Sequence, residues 1–376
     1  MNTNFADTTK KLGFGLMRLP KLPEDKTKID VEQVKEMVDL FLDAGCTYFD
    51  TAYVYDGGAS EAAAKEALID RHDRESFTIA TKLNAWLGKP DEASAKKQLE
   101  TSLERTGARY IDFYLLHALQ LNNKTIYEDY GLWDFVREQK KKGLIKHWGF
   151  SFHATPEMLD ELLTKYDDAE FVQLQINYAD WENENIASRR CYEVARKHGK
   201  EIVVMEPVKG GMLATPPPKI QELFKKELPD ASFASWAIRY VASMEGIITV
   251  LSGMSDLEQM KDNLSYMKDF QPLTAREQEL IAEAQRIIAE SDTVPCTACE
   301  YCKPGCPVNI AIPGVIRAVN EWRVYQNKAQ ADRRYMFSTQ GSGLAKDCIA
   351  CGQCEGACPQ SLPIISLMRE AAGLFD

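Results

Sequence analysis

The 376-residue chain has no apolar run long enough to cross a membrane, no G-x-G-x-x-G and no surplus of basic charge. Each absence removes a class of function. A bilayer span needs about 20 consecutive apolar residues, so no membrane helix is expected. The opening MNTNFADTTKK lacks the apolar core of a secretory signal. A reducing cytoplasm is therefore the expected compartment, one in which thiols stay available to iron. Nucleic-acid binding needs a basic face to neutralise phosphates, and a net charge of −11 argues against it. The missing glycine fingerprint argues against an open, doubly wound dinucleotide fold. At 45% hydrophobic and 27% charged, the chain is of ordinary globular composition.

The chain is rich in patterned cysteine. Cys296, Cys299, Cys302 and Cys306-Pro307 are repeated as Cys348, Cys351, Cys354 and Cys358-Pro359. Each run reads C-x-x-C-x-x-C-x-x-x-C-P, the bacterial spacing for paired [4Fe–4S] clusters, in which the fourth cysteine serves the other cluster. On that pattern Cys296, Cys299, Cys302 and Cys358 hold one cluster, while Cys348, Cys351, Cys354 and Cys306 hold the second. Structural zinc uses four ligands, commonly two C-x-x-C pairs or Cys/His mixtures, and fits this doubled run poorly. Cys46 and Cys191 stand apart in apolar or helical surroundings and read as buried, unreactive thiols.

Ahead of these runs, short apolar segments alternate with amphipathic ones. The expected strands are Leu12–Met17, Thr47–Thr51, Phe77–Thr81, Ile111–Leu116, His147–Ser151, Phe171–Ile176, Ile202–Met205 and Ile247–Leu251. Helical patterns cover Val31–Ala44, Ser94–Thr106, Ile126–Lys142, Pro156–Lys165 and Ile186–His198 between them, and Ala275–Glu290 after them. Such alternation implies right-handed βαβ units and a parallel sheet. Eight units in this length suit a closed (β/α)8 TIM barrel. The interruption at Ser291–Pro295 sets the expected boundary, with a barrel over 1–290 and a small α+β, α-rich ferredoxin-like domain over 291–376. Within that domain Ile312–Tyr325 reads as a helix begun by Pro313, and Trp322, Tyr325 and Tyr335 as packing residues.

A (β/α)8 barrel delivers its working residues at the C-terminal ends of its strands. Asp50 and Tyr55 follow the second expected strand, Lys82 the third and His117 the fourth. One mouth thus receives a carboxylate, a phenol, an ammonium and an imidazole.

Over about residues 10 to 265 the sequence resembles the aldo-keto reductase superfamily. The resemblance rests on Gly13-Phe14-Gly15, Asp50-Thr51-Ala52-Tyr53-Val54-Tyr55, Thr81-Lys82, Leu115-Leu116-His117, Gly149-Phe150-Ser151, Gln175-Ile176-Asn177-Tyr178 and Asn263 after a Ser252-Gly253 loop. With its cysteine tail the chain looks like the ferredoxin-tailed branch of that superfamily. The resemblance implies an oxidoreductase that interconverts a carbonyl and an alcohol with NAD(P)H. It makes Tyr55 the general acid, Lys82 and Asp50 its tuning pair, and His117 the residue that orients the carbonyl. A nearby Lys⁺ is expected to lower the Tyr55 pKa. The resemblance also implies that Ser151, Gln175 and Asn177 meet a nicotinamide carboxamide, while Lys209-Gly210-Gly211 lets a pyrophosphate approach backbone N–H groups.

Two departures from the superfamily pattern stand out. Met205-Glu206-Pro207 replaces the aromatic that stacks on nicotinamide. Gly253 and Gln259 occupy the loop where NADPH-specific members carry Lys and Arg, and glutamine cannot replace arginine on a 2′-phosphate. NADP(H) and NAD(H) therefore both stay open. Nicotinamide gives up two electrons as hydride whereas each cubane passes one, so exchange between them calls for an intermediary such as flavin. The alternative reading is an electron-transfer protein, or a flavin or one-electron reductase, whose clusters feed a non-carbonyl substrate or a ferredoxin- or flavodoxin-type partner. Trp86 and Trp181 are expected on barrel-mouth loops, as pocket walls or as rim cover.

Overall fold

The computed structural model describes residues 10–376 other than 185, 297 and 299. The chain forms two compact units. One comprises the residues through Lys209 together with Ala234–Gln278, the other Gly210–Phe233 together with Glu279–Asp376.

The first unit is a closed barrel of eight parallel strands in chain order. They are β1 (Leu12–Gly15), β2 (Tyr48–Asp50), β3 (Thr78–Leu83), β4 (Ile111–Leu119), β5 (Ile145–Phe152), β6 (Phe171–Gln175), β7 (Glu201–Met205) and β8 (Ile247–Ser252). Period-2 alternation sends Tyr48, Ala80, Phe113, Leu115, Phe171, Val203, Ile248 and Leu251 into one interior cluster. Gly149 is required where β5 meets β6, because a Cβ there would lie 2.2 Å from the Phe171 carbonyl oxygen.

Two elements differ most from expectation, for local reasons, while other ends shift by one or two residues. β4 continues past Leu116 to Leu119, through a register shift at which Ala118 turns left-handed (φ 55°). The single helix expected over Ile126–Lys142 is two, Lys124–Asp129 and Leu132–Lys141, because Gly131 adopts φ 58° between them.

The second unit is built on three longer helices, Ile312–Tyr325, Lys328–Thr339 and Ile364–Phe375. Val315, Ile316, Val319, Tyr335, Leu367 and Met368 make its core. Pro313 sits in the first turn of its helix, as expected, and left-handed Gln326 ends it. Among the described residues, no helix is long and apolar enough to cross a membrane.

Candidate active site and cysteine cavities

Seven of the eight strands end on or near a residue singled out in the sequence. Asp50, Gln175, Met205 and Ser252 are the last residues of β2, β6, β7 and β8; Lys82, His117 and Ser151 lie within the last three residues of β3, β4 and β5. Lys82 is 1% exposed, and its ammonium donates to Asp50 Oδ1 at 2.5 Å and to the Thr51 carbonyl at 2.7 Å. The same Nζ lies 4.8 Å from the centre of the Tyr55 ring. Tyr55 and His117 meet edge to face, with ring centres 5.8 Å apart. The four side chains expected to converge thus occupy one cluster.

Burial dominates their electrostatics. It pulls the Lys82 pKa down, but the Asp50 carboxylate and the Tyr55 oxygen push it up further, so the amine stays charged. Burial raises the Asp50 carboxyl, and Lys82 opposes that rise. Burial likewise raises the Tyr55 phenol, and the pull of Lys82 in the other direction is not enough to cancel it. The expected lowering of Tyr55 is therefore overruled: desolvation of a phenolate costs more than one ammonium returns. His117 is held well below its ordinary value by burial, then by Lys82 and His153, and is neutral. Its Nδ1 has no hydrogen-bond partner among the described residues.

The surrounding contacts hold these groups in place. Trp86 donates its indole N–H to the His117 carbonyl at 3.3 Å, and the Tyr127 hydroxyl donates to the same oxygen. Trp86 thus braces the backbone that carries the imidazole. Trp181 packs ring to ring on Tyr192 and Tyr240. A fully buried carboxylate, Glu61, accepts from Thr81 Oγ1 at 2.7 Å and from Arg105, which also donates to the Tyr53 carbonyl at 3.0 Å. The strand carrying Lys82 is thereby tied to the loop carrying Tyr55.

The residues expected to hold a dinucleotide fare unevenly. Ser151 Oγ accepts the Ala118 N–H at 2.7 Å, Asn263 is buried with an unpartnered Oδ1, and Gly253 lies open. Gln259 is occupied in capping its own helix, donating from Nε2 to Asp256 at 2.8 Å and accepting from Ser255 N–H. The Lys209 ammonium is engaged by Asp180. Gly210 and Gly211, both left-handed, fall in the second unit, where a Cβ on Gly211 would come within 3.2 Å of Gln330 Nε2.

In the second unit the thiols surround space. Cys306, Cys348, Cys351 and Cys354 line one cavity, walled by Ile310, Ile312 and Met368. Cys296, Cys302 and Cys358 line another, with Ile312 and Ile316. Each cavity therefore takes its last cysteine from the other run. Cys299 lies outside the described residues. The two runs also share a backbone pattern: Ala298 and Ala350, Glu300 and Gly352, and Asn309 and Ser361 all have positive φ. Such left-handed steps turn successive N–H groups toward one concavity and favour an anionic guest. The Ile310 N–H already donates to Cys306 Sγ at 3.4 Å. Among the described residues, no three Cys, His, Asp or Glu side chains converge to hold a single metal ion. The thiols are spread around a volume, a geometry that fits a polynuclear cluster.

A family model described as the aldo/keto reductase family matches residues 11–286. The chain belongs to that family. A second model, a 4Fe-4S dicluster domain, matches residues 295–363. YqkF, an uncharacterized oxidoreductase of Bacillus subtilis, is 23% identical over 292 residues, which cover 68% of this chain and 89% of that one. The holo form of an aldo-keto reductase from Bacillus halodurans superposes with a TM-score of 0.60 at 26% identity, covering 73% of this chain and 92% of its own. An aldo-keto reductase from Klebsiella pneumoniae, solved in complex with NADPH, shares the fold at 18% identity and a TM-score of 0.58, covering 74% and 95% of the two chains.

Membership in the aldo/keto reductase family leaves some residues of the mouth unmarked. Asp180, Glu61 and Arg105 escaped the sequence reading. For Asp180 the signal was available in the spacing Asn177-x-x-Asp180, which forms a turn with the Asp180 N–H donating to Asn177 Oδ1 at 2.9 Å. Glu61 and Arg105 had no such signal, since they lie 44 residues apart and pair only in the folded chain.

Proposed function

We propose that the barrel reduces an aldehyde or ketone to an alcohol, or runs the reverse, with NADPH or NADH. The observation that carries this reading is a buried ion pair, Lys82 with Asp50, set against the ring of Tyr55, with neutral His117 edge-on to the same ring. Carbonyl reduction develops negative charge on oxygen, so a proton donor and a fixed positive charge must stand there. A reduced nicotinamide, when bound, supplies hydride to the carbonyl carbon. Tyr55 enters with its proton in place and gives it to the oxygen. The Lys82 ammonium stabilises the phenolate left behind, and Asp50 keeps that ammonium from swinging away. Neutral His117 hydrogen-bonds the carbonyl oxygen and sets which face is presented. Ser151, Gln175, Asn177 and Met205 are the proposed neighbours of the nicotinamide end, and the orphaned Asn263 Oδ1 is an acceptor suited to the other end of the dinucleotide. The NADPH bound by the Klebsiella neighbour supports the same class of cofactor.

We assign the thiols to two [4Fe–4S] clusters, one on Cys306, Cys348, Cys351 and Cys354, the other on Cys296, Cys302, Cys358 and Cys299. Because every one of these cysteines follows residue 290, the functional division is proposed between 1–290 and 291–376. The test of the barrel reading is anaerobic turnover of a panel of aldehydes and ketones with NADPH and with NADH. Turnover by the wild type that Tyr55→Phe loses supports it. No turnover with either cofactor overturns it.

One observation favours a second activity for the cluster unit. Cys351 is exposed, and beside it Ile349 is 62% exposed, so one cavity has an apolar edge open to a partner. A ferredoxin- or flavodoxin-type protein suits such an edge, with bound flavin as the splitter of hydride into single electrons. Titration of the cluster absorbance with NADPH and NADH, without mediator, decides the matter. Bleaching, with flavin released on acid denaturation, supports linkage. Unbleached clusters alongside aldehyde turnover mean that the two activities run separately.

A further inference from the structure

Hydrogen bonds at the ends of β6 and β7 fix the orientation of two side-chain amides. Asp180 is 1% exposed. Its Oδ2 accepts from Asn177 Nδ2 at 2.9 Å and from Gln175 Nε2 at 3.3 Å, and its Oδ1 is held by the Lys209 ammonium. An ionised carboxylate accepts hydrogen bonds and donates none. Both amide nitrogens must therefore face it.

The consequences for the two amides differ. Asn177 is engaged at both ends, since its Nδ2 also reaches the Glu206 carbonyl at 3.2 Å and its Oδ1 accepts the Asp180 N–H. It serves as a buttress. Gln175 turns its Oε1 away from Asp180, and among the described residues that oxygen receives no donor. On neighbouring β5, Ser151 pairs in register with Gln173, two residues before Gln175 and hence on the same side of β6. Ser151 Oγ already accepts the Ala118 N–H, so what it has left to give is its hydroxyl proton. Adjacent strand ends thus offer one acceptor and one donor, the complement of a planar group with an N–H beside a C=O.

We propose that Asp180 is a positioning residue that fixes this polarity and makes the mouth select a ligand bearing a primary carboxamide over one whose amino group is replaced by methyl. The inference rests on the nicotinamide reading above and deepens it. An asparagine at 180 can donate as well as accept, so the Gln175 amide would be free to turn over and the distinction would fade.

The test compares NADP⁺ with its 3-acetylpyridine analogue, and NAD⁺ with the corresponding analogue, by quenching of tryptophan fluorescence in the full, cluster-loaded chain. The wild type is expected to prefer the carboxamide by about tenfold, because the analogue leaves Gln175 Oε1 facing a methyl group. Asp180→Asn should reduce that preference to less than about threefold while leaving affinity for 2′-phospho-ADP-ribose, which has no nicotinamide, unchanged within about twofold. If Asp180→Asn does not fold because Lys209 is left unpaired, Asp180→Asn with Lys209→Met is read on the carboxamide preference alone, which should again fall below about threefold. A wild type that binds both members of a pair equally, or a variant that keeps the full preference, overturns the inference and leaves the nicotinamide reading standing. A wild type that binds none of the four dinucleotides overturns the nicotinamide reading itself.

Discussion

At the barrel mouth the ionisable side chains touch one another, whereas in the second unit the thiols face two cavities. Lys82 brings its own counter-charge in Asp50, and Asp180 brings Lys209. Such a site is assembled by folding alone. Isoleucines wall the cysteine cavities, and three matched pairs of left-handed residues bend the two loops. Each non-glycine residue so bent costs about 1–2 kcal/mol, a cost a bound cluster can offset. The difference teaches that the barrel should be complete before any cofactor arrives, while the cysteine unit depends on its guest.

The largest effect that would expose a failure of this distinction lies in the barrel. Tyr55→Phe removes a proton donor and should lower carbonyl turnover by roughly 10²–10⁴-fold, with iron content unchanged. Steady-state rates and an iron assay on one preparation measure both. A loss of less than tenfold would mean that the proton comes from another group.

The next largest effect lies in the cysteines. Crosswise ligation predicts that Cys306→Ser and Cys354→Ser, far apart in sequence, each lose the same cluster, so iron falls by about half in either variant and no further in the double variant. If the double variant loses all its iron, each run holds its own cluster and the cavity walls have been misread. Barrel circular dichroism and Tyr55-dependent turnover should survive in all three.

The two regions also differed in how legible they were. The strands could be read because a parallel barrel buries both faces and leaves short apolar runs, and Phe171–Gln175 and Glu201–Met205 fall within a residue of expectation. The iron–sulfur character of the tail was legible because a ligand spacing is local, and residues 295–363 match a 4Fe-4S dicluster domain. The break at Gly131 was harder, since the apolar pattern runs on through it and only the backbone turns. The balance at Tyr55 between desolvation and the pull of Lys82 could not be read at all. Composition names the neighbouring lysine but not the depth of burial that outweighs it. Glu61 pairs with Thr81 and Arg105, both distant in sequence, and is invisible until the chain folds, whereas the Asn177-x-x-Asp180 turn was there to be read.

That balance gives a pH prediction. A proton donor works in its protonated form, and Tyr55 is raised above the ordinary tyrosine value near 10. Activity is therefore retained as pH rises and lost only through the raised folded value. His117, depressed by burial, stays neutral down to well below its usual titration. The reductive kcat should thus be flat from about pH 7 to about pH 10. A fall centred between about 7 and 9 would contradict Tyr55 as the acid.

The smallest effect tests the cysteine unit at a point where folding does supply a brace. The Tyr335 hydroxyl donates to the Asp376 carboxylate at 2.9 Å and accepts the Ala345 N–H at 2.7 Å, while Asp376 also accepts the Lys346 N–H at 2.8 Å. Phe375 stacks on the Tyr335 ring at 4.8 Å. These bonds fix the turn that leads into Cys348. Tyr335→Phe keeps the stack and removes the hydroxyl, costing about 1 kcal/mol and leaving the Ala345 N–H without its acceptor. Chelator-driven iron release should then be a few-fold faster for the cluster on Cys348 and unchanged for the one on Cys296. Equal acceleration of both would mean that the brace supports the unit as a whole, and an unchanged rate would mean that the guest alone holds the loop.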